Sequence, residues 1–168
     1  MRKFIFICIL ACTCTGVYAQ KSYENLDPVV LAKAKQGDAE AQYAMGLHYN
    51  NYMQTPAEYI ENGADTTYKI EADRWFRLAA DQGHAEAQAK LGFLKILGLG
   101  EYSNPKEGVK WIRKSAEQGC AMGQLFLGTC YRRGAGVKKS TSKAKKWLRK
   151  AAAQGNEDAK KALENIRR

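Results

Sequence analysis

One eleven-residue block recurs along this chain at a fixed interval. Residues 82–92 read Gln-Gly-His-Ala-Glu-Ala-Gln-Ala-Lys-Leu-Gly, and 36 positions later residues 118–128 read Gln-Gly-Cys-Ala-Met-Gly-Gln-Leu-Phe-Leu-Gly. Residues 36–46 match both, and Gln154 and Gly155 open a truncated fourth copy. Trp75, Trp111 and Trp147 mark the second half of each unit, again 36 apart. A period of this size identifies a supersecondary unit that cannot bury its apolar face alone and must stack on its neighbours. The step from Gly37 to Gly83 is 46, so the first unit carries ten extra residues. Gly46 to Trp75 spans 29 positions against 19 in the other two units, which puts the insertion between the two halves, at about residues 50–70.

Each half reads as a helix. Ala72, Trp75, Phe76, Ala79 and Ala80 share one helical face, as do Gly108, Trp111, Ile112, Ser115 and Ala116, and then Ala144, Trp147, Leu148, Ala151 and Ala152. The indole in this set predicts one large filler per unit, with Trp111 the packing centre of the middle unit. Gly83, Gly119 and Gly155 suit the left-handed position after a helix end. Gly46, Gly92 and Gly128 lie inside the first helices, where glycine costs about 1 kcal/mol relative to alanine; their recurrence predicts that another helix passes closely there. The pairs Gly98/Gly100 and Gly134/Gly136 predict a loop with positive φ. Asn104, Pro105 and Glu107 supply an N-cap, a first-turn proline and a capping-box acid. The units fall at 38–83, 84–119 and 120–155, with capping helices at about 27–36 and 156–168. No Val/Ile/Thr-rich alternating run supports strands.

These residues resemble the Sel-one-like repeat family, a relative of the tetratricopeptide repeat. The resemblance rests on Gln-Gly-x-Ala-x-Ala-x-x-x-Leu-Gly, the Gly-x-Gly loop and the Trp-x₃-Ala-Ala-x-Gln-Gly ending, and covers about residues 29–165. It implies an all-α fold, a right-handed α/α superhelical solenoid of helix pairs with about eight helices. It also implies an adaptor or scaffold with a concave binding surface, and leaves the ligand open, because function lives in sites and not in folds. Some Cys-rich secreted members are described as β-lactamase-like and carry a disulfide within each repeat. Here Ala116 and Gly123 stand near those cysteine positions, which weakens the carry-over of that activity.

The N-terminus reads as a targeting segment. Met1, Arg2 and Lys3 form a short basic region, residues 4–12 are apolar, and Val17, Tyr18 and Ala19 place small residues at −3 and −1 for cleavage before Gln20. The apolar run is about half of the ~20 residues that a membrane-spanning helix needs. Residues 1–19 are therefore expected to be a signal peptide and the mature repeat domain to span 20–168, exported to a periplasmic or secreted location. Lipidation at Cys12 is the rival reading, disfavoured by Leu10. Three of the five cysteines lie in this segment, so the mature chain keeps Cys120 and Cys130 and is no disulfide scaffold.

Groups that carry chemistry are sparse. His48 falls in a helical column with Leu94 and Cys130, which predicts a core imidazole, and His84 falls in the column of Asp38 and Asn156, which predicts a cap. No spacing of Cys, His or carboxylates matches a metal site, and neither a catalytic set nor a cofactor is expected. Ser-x-x-Lys occurs at Ser103/Lys106, Ser140/Lys143 and Ser142/Lys145, but the accompanying Ser-Asp-Asn and Lys-Thr-Gly are missing. A β-lactamase-like or other cell-wall-directed hydrolase, implied by the resemblance alone, is the alternative to a binding role.

Two surfaces are candidates for a partner. At 100° per residue, Tyr43, Leu47 and Asn50 lie opposite Met45, and their equivalents are Ala89, Phe93 and Ile96, then Leu125, Thr129 and Arg132. By analogy with tetratricopeptide stacking this column lines the concave groove; packing against the adjacent repeat is the plainer alternative. Formal net charge is +10, negative over residues 20–84 and strongly positive over 120–168. Lys145, Lys146, Arg149 and Lys150 form the densest basic patch. It is either a solvated face or a site for an acidic partner: a protein or peptide, an anionic lipid headgroup or a charged envelope polymer. Export and the lack of interleaved aromatics argue against nucleic acid. Membrane contact would require lipidation at Cys12 or anionic headgroups. The insertion adds Tyr52, Tyr59 and Tyr68, expected as a lip over the N-terminal edge.

Overall fold

A computed structural model describes residues 27–52, 64–98 and 103–167. Among them are eight helices and no strand: α1 (Pro28–Lys35), α2 (Ala39–Tyr52), α3 (Ala64–Asp81), α4 (Ala85–Leu97), α5 (Pro105–Glu117), α6 (Ala121–Arg133), α7 (Thr141–Ala153) and α8 (Glu157–Arg167). Each helix packs on the next in sequence, and α4 also touches α6. The result is a helical repeat solenoid of three hairpins, α2/α3, α4/α5 and α6/α7, flanked by α1 and α8. The predicted signal peptide, Cys12, Tyr59 and Gly100 lie outside the described residues.

Helix ends follow from local chemistry. Asp38, His84 and Asn156 each accept a hydrogen bond from the backbone N–H three residues on, at 2.7, 3.2 and 2.9 Å. Cys120, the equivalent residue before α6, makes no such bond. Gly83, Gly119 and Gly155 close α3, α5 and α7 at φ of 93°, 91° and 85°. Asn104 caps α5 by accepting from Glu107 N–H at 3.1 Å, but the capping box is not completed. The Asn104 N–H donates to Lys95 O instead, and the Glu107 carboxylate accepts from Trp111 Nε1 at 3.4 Å and lies 3.6 Å from the buried Lys95 ammonium. That cation draws the acid away from its own helix end.

The core is filled in a regular way. Met45, Phe76, Leu91, Ile112, Leu127 and Leu148 are fully buried, one large side chain from each of α2 to α7. The filler of α3, α5 and α7 is thus the residue after the tryptophan, which corrects the expectation for Trp111. A step of 100° turns the indole to the flank of the contact. Trp111 and Trp147 are half-buried, with the Lys114 and Lys150 ammonium groups 4.2 and 4.7 Å above their rings. His48 is likewise only partly buried, edge-on to Tyr49 at 5.6 Å, whereas Leu94 and Cys130 of its column are buried. Tyr68 forms no lip. At 18 residues α3 is longer than the 13-residue α5 and α7, and its first turns lay Tyr68 into the core, 6.3 Å from Tyr49.

The predicted close approach is tightest in the middle hairpin. A Cβ on Gly92 would run into Gly108 O, and a Cβ on Gly108 would sit 2.6 Å from Gly92 O, so two backbones meet with no side chain between them.

The glutamines of the repeated block also find their reason. Gln42, Gln88 and Gln124 are buried, and their amides donate to Ala34 O, Ala80 O and Ala116 O at the end of the preceding helix. Their carbonyls accept from Gln82, Gln118 and Gln154, which follow the second helix of each hairpin, at 2.7, 2.7 and 2.9 Å. A relay of side-chain amides therefore runs along one end of the stack.

Candidate functional site

Between α4 and α6 the stack leaves an open cleft. Phe93, Ile96 and Leu97 of α4 form one wall; Phe126, Thr129, Cys130 and Arg133 of α6 form the other, with Ile112 beneath. The rings of Phe93 and Phe126 stack at 4.7 Å and 16°, so the two helices meet through aromatic faces. Phe93 and Leu97 stay 37% and 48% exposed, large for apolar side chains in contact with a core. The cleft continues toward α8, where Leu125, Arg132, Asp158 and Ala162 join Phe93, Leu97 and Phe126.

The cations of the cleft, Arg132 and Arg133, sit on α6, and Asp158 faces them from α8. Arg132 Nε is buried and has no hydrogen-bond partner, and among the described residues neither Arg132 nor Arg133 forms an ion pair. Burial pushes the Cys130 thiol up to about 11, so at neutral pH it is an uncharged part of the wall. Cys120 and Cys130 are both free thiols.

Of the groove residues proposed from the sequence, Phe93, Ile96, Leu125, Thr129 and Arg132 line this cleft. Tyr43, Leu47 and Asn50 do not. Tyr43 stacks on His84 at 4.6 Å and lies 5.8 Å from Phe76, Leu47 packs on the core of the first hairpin, and Asn50 is half-buried on α2. Burial, with the carboxylates of Glu86 and Glu40 and the Cys120 thiol nearby, raises the Tyr43 hydroxyl above its usual range. Ala89 is fully buried. Leu97, Phe126 and Arg133 were missed. Leu97 follows Phe93 by one turn, and Phe126 adds a ring where the other units have Ala44 and Lys90.

The basic patch sits elsewhere. Lys146, Arg149 and Lys150 are exposed and Lys145 half-buried on α7, and none of the four lines the cleft. The Ser-x-x-Lys pairs have the look of helix starts and surface positions. Ser140 caps α7, accepting from Lys143 N–H at 3.3 Å, while Ser103, Lys106, Ser142 and Lys143 are exposed. Nothing supports the hydrolase alternative. Among the described residues no group of three or more His, Cys, Asp or Glu could hold a metal ion, and no helix is long and apolar enough to cross a membrane.

Stacked helical hairpins with an open apolar cleft define a helical-repeat protein. The Sel1 repeat model matches residues 39–54, 57–84, 85–120 and 121–156, and the chain belongs to the Sel1 repeat family. It is similar to a Sel1 repeat protein from Oxalobacter formigenes, with 37% identity and a TM-score of 0.62 over 81% of this chain and 95% of that one. It is also similar, at 36% identity and a TM-score of 0.62, to a protective antigen of uropathogenic Escherichia coli strains that displays an SLR fold. That match covers 75% of this chain and 25% of the antigen, so the chain spans about a quarter of the antigen's length. Among curated proteins none matches. Sel1 repeats typically mediate protein–protein interaction and are generally non-enzymatic scaffolds.

Proposed function

We propose that this protein is an exported interaction module that binds a segment of a protein partner in the α4–α6 cleft. The observation that carries the reading is the exposed apolar pair Phe93 and Leu97 over the stacked Phe93–Phe126 rings. Covering such a patch removes apolar surface from water, the main driving force of association. A rigid stack presents it without ordering a loop, which keeps the entropic cost of binding low. Support for export is the basic start, apolar run and small-residue pattern of residues 1–19.

A photo-crosslinking amino acid at position 97, compared with one at the exposed Lys110 of α5, tests the reading in extract of the source cells. A discrete adduct from position 97 and none from 110 is expected. Equal labelling from both, or no adduct from 97, would overturn the cleft as the binding surface.

A further inference from the structure

We infer that the cleft is a two-part receptor for an acidic linear segment, taking an apolar side chain against Phe93, Leu97 and Phe126 and a carboxylate at Arg132 and Arg133. This rests on the reading of the cleft as a partner site and specifies what the partner must carry.

The carboxylate half follows from Arg132. Its Nε is shut off from solvent without an acceptor, so an incoming acid meets only the terminal nitrogens of this half-buried side chain, which form no ion pair among the described residues. Arg133 lines the same cleft and is also without a carboxylate partner among the described residues. Two guanidinium groups on adjacent residues offer the planar donor forks that carboxylates pair with best. Asp158 closes the far side of the cleft from α8 and pairs with neither arginine. Its charge repels a second acid, so the carboxylate must seat on the α6 side. The incoming segment is thereby given a direction.

Spacing sets the motif. Phe126 precedes Arg132 and Arg133 by six and seven residues on α6, about 9–10 Å at 1.5 Å per residue. An extended strand covers that distance in about three residues at roughly 3.3 Å each. The fitting segment has an aromatic or large aliphatic residue followed two to three positions later by Glu or Asp. A flat anionic surface would meet the exposed α7 cations and not this recess.

The probe is the blocked peptide acetyl-Gly-Phe-Gly-Glu-Glu-Gly-amide, titrated into the full chain with NMR detection of the backbone amides of residues 93, 97, 129, 132 and 133. Two companions replace both glutamates by glutamine, or the phenylalanine by serine. The acidic peptide should bind with a Kd about tenfold or more below that of either companion, the difference of one well-placed charged contact. Arg132→Gln with Arg133→Gln should bring it to the level of the glutamine peptide and leave the latter unchanged. Leu97→Ser, at a 48% exposed position, should weaken both, with thermal melting confirming the fold. Equal affinity for the acidic and glutamine peptides would overturn the inference while the cleft reading stands. An acid preference that survives the arginine double variant would also overturn it. If no peptide perturbs the cleft amides, the cleft reading falls with it.

Discussion

Gly92 and Gly108 bring the backbones of α4 and α5 into direct contact, and neither has room for a methyl group. Gly92→Ala should gain about 1 kcal/mol of helix propensity and lose roughly 1–3 kcal/mol to overpacking, because the atom it meets is a carbonyl oxygen that cannot rotate away. Chemical denaturation should show a lower midpoint; an unchanged or higher one would mean that the two helices separate at little cost. Cys130 makes a second residue-scale prediction. Its thiol is held neutral from the ordinary 9.0 up to about 11 by burial. Below pH 9 folded and unfolded chains both keep the proton, and between about 9 and about 11 only the folded chain does, so stability falls as pH rises through that window. Tyr43, also raised, acts in the same direction at higher pH, so the slope belongs to Cys130 only if Cys130→Ala flattens it. The measurement is the denaturation midpoint of both chains from pH 7 to 11.

At the scale of the helix, the glutamine relay explains why Gln recurs at fixed places in the block. Gln88 donates to Ala80 O and accepts from the exposed Gln118, so Gln88→Ala strands the buried Ala80 carbonyl, at a cost of about 1–3 kcal/mol. Replacing the exposed Gln154 should cost less, because water can take over its bonds. Equal midpoints for the two variants would show that the relay adds nothing beyond solvation. The hairpins themselves were legible because period, glycine and cap all point to the same boundaries, and His84 and Asn104 cap as their positions require. Less was legible about neighbours. Periodicity identifies a helix face but not what covers it. Ala89 and Phe93 belong to one predicted column, yet Ala89 is fully buried and Phe93 stands open. Glu107 has the sequence of a capping box and is diverted by Lys95, twelve residues earlier and on another helix. Five of the cleft residues were found in this way, and the others, Leu97, Phe126 and Arg133 among them, depend on which helices the stack brings face to face.

Across the whole molecule the densest basic patch lies apart from the cleft. The cleft lies between α4 and α6, whereas Lys145, Lys146, Arg149 and Lys150 are carried on α7. Neutralising those four with glutamine should slow association with an acidic partner and flatten its salt dependence, with dissociation little changed, as expected of steering groups outside the contact. Stopped-flow rates at several salt concentrations decide this; an unchanged on-rate would leave the four lysine and arginine side chains as a solvated face. The relay has one more consequence, for where this chain tolerates change in length. The bond from Gln82 to Gln42 spans 40 residues and its counterparts span 30, yet all three form at 2.7 to 2.9 Å. The extra residues of the first unit enter between α2 and α3, away from the end of the stack that holds these amide bonds. Foreign sequence spliced into the tips after α4 or α6 would meet the same freedom, while a single residue added beside Gly83 or Gly119 would lengthen the eight-residue reach from Gln88 to Ala80 O or from Gln124 to Ala116 O and break that bond.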